Sequence, residues 1–175
     1  TTGPSAQLST LPTSLPVPWR HTDIGPPSTR GSAVYDPVND TFTIEAAGRD
    51  IFTFASLNQP DEVHYVYQPI AGDFVITARL DSFNTPQNWA KAGVMIRSGL
   101  DGNDLQFSTV IGKASNAQLL ARPTPGAGSW HREAPILQTP FWVRAIRVGD
   151  FFSGAYSSDG VHWQTISSRT IAMDE

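Results

Sequence analysis

The stretch Trp89-Ala90-Lys91-Ala92-Gly93-Val94-Met95-Ile96-Arg97 decides the fold class. Side chains alternate across a β-strand. Ala92, Val94 and Ile96 therefore fall on one face, and Lys91, Gly93, Met95 and Arg97 on the other. The first set is a packing face. The second carries two cations and a glycine gap beside a tryptophan, the pattern of an antiparallel sheet covered on one side and open on the other. The open side, with a long cation next to bare backbone, is the expected place for a ligand.

The same alternation recurs outward from this strand. In 73–81, Phe74, Ile76, Ala78 and Leu80 form an apolar face against Asp73, Val75, Thr77 and Arg79. In 141–148, Trp142, Arg144, Ile146 and Val148 share one side, and Val143, Ala145 and Arg147 take the other. Further strands are expected at 32–35, 41–46, 62–68, 105–111, 117–122, 129–132, 151–156 and 162–167. Turn signals such as Pro37-Val38-Asn39-Asp40, Asp101-Gly102-Asn103-Asp104 and Gly149-Asp150 separate them. Turns recurring about every 8–12 residues, with no helical period, indicate a sandwich or barrel. The mixed faces fit two curved sheets, the outer face of one forming a shallow polar groove. The expected fold is an all-β jelly-roll sandwich of two antiparallel sheets.

Composition agrees. The chain of 175 residues is 39% hydrophobic, enough for a core, and only 16% charged. Its formal net charge of −4 gives no basic surplus, which argues against nucleic acid or an anionic membrane as partner. No apolar run approaches the ~18 residues of a membrane span. Cysteine is absent, excluding disulfides and thiolate metal sites. Residues 1–18 hold four prolines and no charge, and read as a linker or extended arm before a domain over 19–175. A Thr/Ser/Gly-rich, mildly acidic chain with such an arm fits a secreted or cell-surface module.

Signs of catalysis are sparse. No Gly-x-Ser-x-Gly elbow occurs, and His21, His64, His131 and His162 lack metal-ligand spacing. Retaining glycosidases need two carboxylates roughly 5–5.5 Å apart. Asp61, Glu62 and Asp73 are the acids that a glycoside hydrolase or lyase would have to use, and all sit at strand edges. The chain is therefore read as non-catalytic. Asp101, Asn103 and Asp104 cluster oxygen ligands around Gly102, as a Ca²⁺ loop would, and Asp36, Asn39 and Asp40 form a similar group. Turn chemistry favours the same residues. In Tyr156–Trp163, Asp159 and Gly160 read as a tight hairpin similar to the Asp-box turns of sugar-processing proteins.

Aromatic and hydrogen-bonding residues suggest a ligand class. A tryptophan on a loop can stack on a sugar ring while polar side chains bond its hydroxyls. Trp89 and Trp130 are the expected platforms, with Lys91, Arg97, Gln106, Gln118 and Arg122 as anchors. Trp19, Trp142 and Trp163 are assigned to core packing. The expected function is non-catalytic binding of a polysaccharide or other glycan.

Phe74–Leu80, Trp89–Arg97, Ala117–Arg122, Trp142–Arg147 and the Tyr156–Trp163 hairpin resemble a bacterial concanavalin A-like, laminin-G-like module, also labelled regulation-of-enolase-protein-1-like. The resemblance covers about residues 17–173 and is carried most specifically by Trp89–Arg97, with Arg97 and Arg122 matching its pattern. It implies a jelly roll, often appended to secreted carbohydrate-active enzymes, and a glycan-binding or adhesive role. It supplies no catalytic residues. Such modules continue past the strand following Trp163, whereas this sequence reaches Ile171-Ala172-Met173-Asp174-Glu175. The expectation is a sandwich lacking its last strands, open to strand exchange with the proline-rich arm of another copy.

Overall fold

The computed structural model describes residues 14–54, 56–57, 59–85, 87–112 and 116–174. Among them there is no helix, and twelve strands form four antiparallel sheets. In chain order the strands are β1 (Arg20–Ile24), β2 (Ser32–Asp36), β3 (Thr41–Glu45), β4 (Val63–Tyr67), β5 (Phe74–Leu80) and β6 (Ala92–Arg97). They continue with β7 (Gln106–Ile111), β8 (Asn116–Arg122), β9 (Trp130–Ile136), β10 (Phe141–Val148), β11 (Phe151–Ser157) and β12 (Gln164–Thr170).

Two four-stranded sheets, ordered β6-β7-β8-β9 and β12-β11-β10-β5, pack face to face as a β-sandwich. The period-2 pattern places Val94 and Ile96 of β6 and Phe107 of β7 opposite Phe141, Val143, Ala145 and Phe152. Phe74, Ile76, Ala78 and Leu80 line the same interior, as their alternation predicts. Phe107, Phe141 and Phe152 are essentially inaccessible, and each contributes about 1.5–3 kcal/mol by leaving water. Ile171 and Met173 are buried in this core too. The Ile171 amide donates to the Asp150 carbonyl at 2.9 Å, and Arg147 donates to the carbonyls of Met173 and Asp174. Beyond β12, Ile171 and Met173 thus continue the core. The first thirteen residues of the arm lie outside the described residues, and with them the expectation of strand donation.

The chain adds a third layer. Every residue of β7 is buried, and so are all but the first of β8, so the middle of this sheet is covered on both faces. Ile51, Phe52 and Val63 pack on Met95, Val110 and Leu120 from the outside. The Tyr65 hydroxyl, on β4, donates to the Met95 carbonyl at 3.0 Å. The expectation of an open face on β6 is therefore corrected: Lys91, Met95 and Arg97 do share a face, but Asp50, Ile51, Phe52, Asp61, Val63 and Tyr65 close over it. The glycine gap has another use. A Cβ on Gly93 would lie 2.6 Å from the Cα of Val110, directly across the ladder, so glycine permits β6 and β7 to approach.

Two strands depart from the pattern expected of the sequence. β1 (RHTDI) has a single apolar residue, Ile24, yet pairs along its whole length with β4. β9 runs on through Pro135, which is accommodated because β9 is an edge strand.

Gly93→Ala should lower stability by about 2 kcal/mol, the typical cost of overpacking against a backbone that cannot retreat. Urea denaturation checks this, and a loss near zero would show that β6 and β7 can separate locally.

Candidate functional site

The anchors expected of the sequence do converge, on the outward side of β6-β7-β8-β9. There they bond the protein itself. Asp61, 1% exposed, stands between two guanidinium groups. Arg97 Nη1 donates to its Oδ2 at 2.5 Å, and Arg122 donates to its Oδ2 at 2.9 Å and its Oδ1 at 2.5 Å. Arg97 also donates to the carbonyls of Gly99 and Asp101 and to Met95 Sδ, and Arg122 to the carbonyls of Gly102, Asp104 and Ala127. Gln106 is buried, donating to the Ile51 carbonyl at 3.4 Å and accepting from Ser108 Oγ. Lys91 Nζ donates to Asp50 Oδ1 at 2.7 Å and to the Trp89 carbonyl. Gln118 Nε2 donates to Asn116 and Glu133. Lys91, Arg97, Gln106 and Arg122 thus hold the covering layer down, while Gln118 ties β8 to β9.

The expected platforms lie apart. Trp89 is exposed in the turn before β6. Trp130 packs against the inter-sheet core, on the other side of its sheet from the anchors, with Arg132 and Arg169 each 4.8 Å from its ring centroid. In the 101–104 turn, Asp101 accepts from the Asn103 amide and Asp104 from the Asp101 amide, both at 2.8 Å. Asp36 accepts from Val38 and Asn39 in the same manner. No group of three or more acidic or histidine side chains suited to a metal occurs among the described residues. Of the acids named for hydrolysis, Asp61 is committed to its arginines and Glu62 accepts from Arg49 Nε at 3.1 Å. Asp73 accepts from the Gly149 amide, on the opposite sheet.

The uncovered sheet face is that of β12-β11-β10-β5. Pairing of Val75 with Ile146 and Ser153, and of Thr77 with Arg144 and Ala155, sets which residues share it. Val75, Thr77, Arg79, Val148, Phe151, Ser168 and Thr170 are exposed there. Trp142 and Trp163, expected in the core, stand on this outer side. The Arg79 guanidinium lies 5.2 Å from the Trp142 ring centroid and the Arg144 guanidinium 3.6 Å from that of Trp163. Arg144 Nε also donates to Thr77 Oγ1 at 3.0 Å. The 157–163 hairpin borders the face: Asp159 accepts from the amides of Val161 and His162 and from the His162 ring, which holds its carboxyl well below the usual range.

A second cluster had no sequence signature. His64, buried, has Nδ1 2.7 Å from Asp23 Oδ1 and Nε2 3.1 Å from His21 Nδ1. A carboxylate only accepts, so with neutral rings His64 Nδ1 donates to Asp23, His21 Nδ1 donates to His64, and His21 Nε2 is left as an acceptor. Gly31 donates its amide to Asp23 and packs so closely on His64 that no side chain fits there. Asp23 also borders a cleft of about 440 Å³ with Thr22, Gly25, Pro26, Pro27 and Arg30. The spacing of 41 residues between Asp23 and His64 hid this relay; only the β1–β4 pairing joins them.

Compared with protein-family models, curated proteins and solved structures, the chain finds no significant match in any of the three.

Asp61→Asn leaves two buried guanidinium groups without a counter-charge and should cost about 3–5 kcal/mol, read from urea denaturation. A loss below about 1 kcal/mol would mean that the cluster is solvated. The hydrogen bond from His64 lowers the Asp23 pKa below 3.8 in the folded chain. A depressed carboxylate stabilises the fold above its unfolded pKa and loses that contribution as pH falls through the folded value. Thermal melts below pH 4 should therefore decline less steeply for Asp23→Asn than for the parent chain, and parallel declines would remove Asp23 as a cause.

Proposed function

We propose that this chain is a non-catalytic glycan-binding module of a secreted or cell-surface protein, and that it binds through the outward face of β12-β11-β10-β5. The observation that carries the reading is a sheet face left exposed that combines aromatic rings, hydroxyls and an oriented guanidinium. Phe151 is 50% exposed, and Val75 and Val148 slightly more so. With Trp142 and Trp163 they offer apolar area for the C–H faces of sugar rings. Thr77, Ser153, Thr165, Ser168 and Thr170 line the same sheet with hydroxyls, each able to donate and accept. A gently twisted sheet suits an extended polymer better than an enclosed pocket does.

The concanavalin A-like resemblance adds to this reading and proposes jelly-roll connectivity for the sandwich. It also proposes the setting, since such modules accompany secreted carbohydrate-active enzymes. The choice of this sheet over β6-β7-β8-β9 is supported by the geometry. Arg97, Gln106 and Arg122 bond acceptors inside the protein, whereas Val75, Thr77, Arg79, Val148, Phe151, Ser168 and Thr170 remain exposed on the outward side of β5, β10, β11 and β12.

Affinity electrophoresis through a panel of soluble polysaccharides tests the proposal. At least one polymer should retard the folded protein. Phe151→Ala should weaken that retardation about tenfold, the equivalent of one ring contact worth about 1.4 kcal/mol. Trp89→Ala should leave it unchanged. Retardation by no polymer, or loss with Trp89→Ala and not with Phe151→Ala, would contradict the proposal.

A further inference from the structure

The four strands of the exposed sheet contain Arg79, Arg144, Arg147 and Arg169 and not one aspartate or glutamate. The whole chain carries a formal charge of −4, so the acids have been kept off this sheet. They cluster at its ends instead. Asp73 caps the Gly149 amide, Asp81 pairs with Arg79 Nε at 3.0 Å, and Asp159 is occupied by its own hairpin. On the inward side, Arg147 bonds the carbonyls of Gly149, Met173 and Asp174, and Arg169 lies against Trp130.

That leaves Arg144. Its Nε is held by Thr77 Oγ1 and its plane by the Trp163 ring, but its two terminal nitrogens make no hydrogen bond to any described residue. No carboxylate lies within salt-bridge distance of it among the described residues. An arginine stacked on an aromatic ring has its fork oriented before a ligand arrives, so little side-chain freedom is lost on binding. The free edge of such a fork matches a carboxylate with two parallel N–H···O bonds.

We propose that the glycan recognised by this face is acidic, a uronate polymer whose sugar carboxylate pairs with Arg144. The proposal rests on the glycan-binding reading above and names the ligand class within it. The apolar residues along β10 and β11 contact the sugar rings, and Arg144 reads the charge.

The test uses one polymer backbone in two charge states. Binding of the full chain to polygalacturonate, to its fully methyl-esterified form and to neutral dextran is measured by titration calorimetry in calcium-free buffer, with dextran sulfate as a non-uronate polyanion. Polygalacturonate should bind at least tenfold more tightly than the methyl ester, and added salt should weaken it. Arg144→Gln should remove the difference between acid and ester. Arg144→Lys should lose most of it, because charge is kept and the fork is lost. Near-ultraviolet circular dichroism of both variants checks that the Trp163 environment persists. Equal or tighter binding of the ester or dextran would overturn the acidic preference while leaving the glycan reading in place. Tighter binding of dextran sulfate with no change in Arg144→Gln would overturn it in favour of diffuse charge. Binding to none of these or the wider polysaccharide panel would overturn the glycan reading itself.

Discussion

A single buried carboxylate organises the outer layer of this protein. Asp61 leaves the segment between β3 and β4 and enters a site formed by Arg97 of β6 and Arg122 of β8. Removing three charged groups from water costs several kcal/mol for each, and the cost is offset only when every donor is satisfied. Here the guanidinium groups also bond five backbone carbonyls around the 99–104 turn and at Ala127. The geometry therefore fixes two loops and one covering segment together. With that segment in place, β7 and the body of β8 lie between two apolar layers, the sandwich interior on one side and Ile51, Phe52 and Val63 on the other. The functional consequence is one of exclusion. The middle of this sheet face is closed by its own chain, and the exposed outward residues of the other sheet are the ones on which the proposed binding rests.

Much of the scaffold was legible because strand periodicity is local. The alternation in Phe74–Leu80 correctly separates core from surface, since each residue's side is fixed by its neighbours in sequence, whereas in Phe141–Val148 it sorts the residues into two faces without saying which is buried. β1 was not legible for the same reason: RHTDI carries no apolar alternation and is held by its ladder with β4 and by the Asp23–His64–His21 chain. The anchors illustrate the limit more sharply. Lys91, Arg97, Gln106, Gln118 and Arg122 are expected as ligand anchors and do share one side of a sheet, but what lies over that side depends on Asp50 and Asp61, acids dozens of residues away in sequence. A lysine or arginine beside bare backbone looks the same in sequence whether its partner is a ligand or a distant carboxylate.

Tryptophan misled in the opposite direction. Trp142 and Trp163 were assigned to the interior on hydrophobicity, although Trp142 shares its side of β10 with Arg144. The ladder sets Trp142 opposite Arg79, and Trp163, just before β12, lies against Arg144, contacts that an exposed sheet surface permits and a dry core would penalise. The same pairing gives the surface its character. Rings spread apolar area across the strands while guanidinium groups keep that area hydrated and directional.

On the function proposed above, ligand contacts fall on β12-β11-β10-β5 and not on β6-β7-β8-β9. An amide chemical-shift titration of the ¹⁵N-labelled chain with an oligogalacturonide tests it most directly. Shifts concentrated at residues 75–79, 142–148, 151–155 and 163–168 are the predicted result. Shifts concentrated at residues 89–97 and 101–106, or none at all at saturating oligosaccharide, would contradict it.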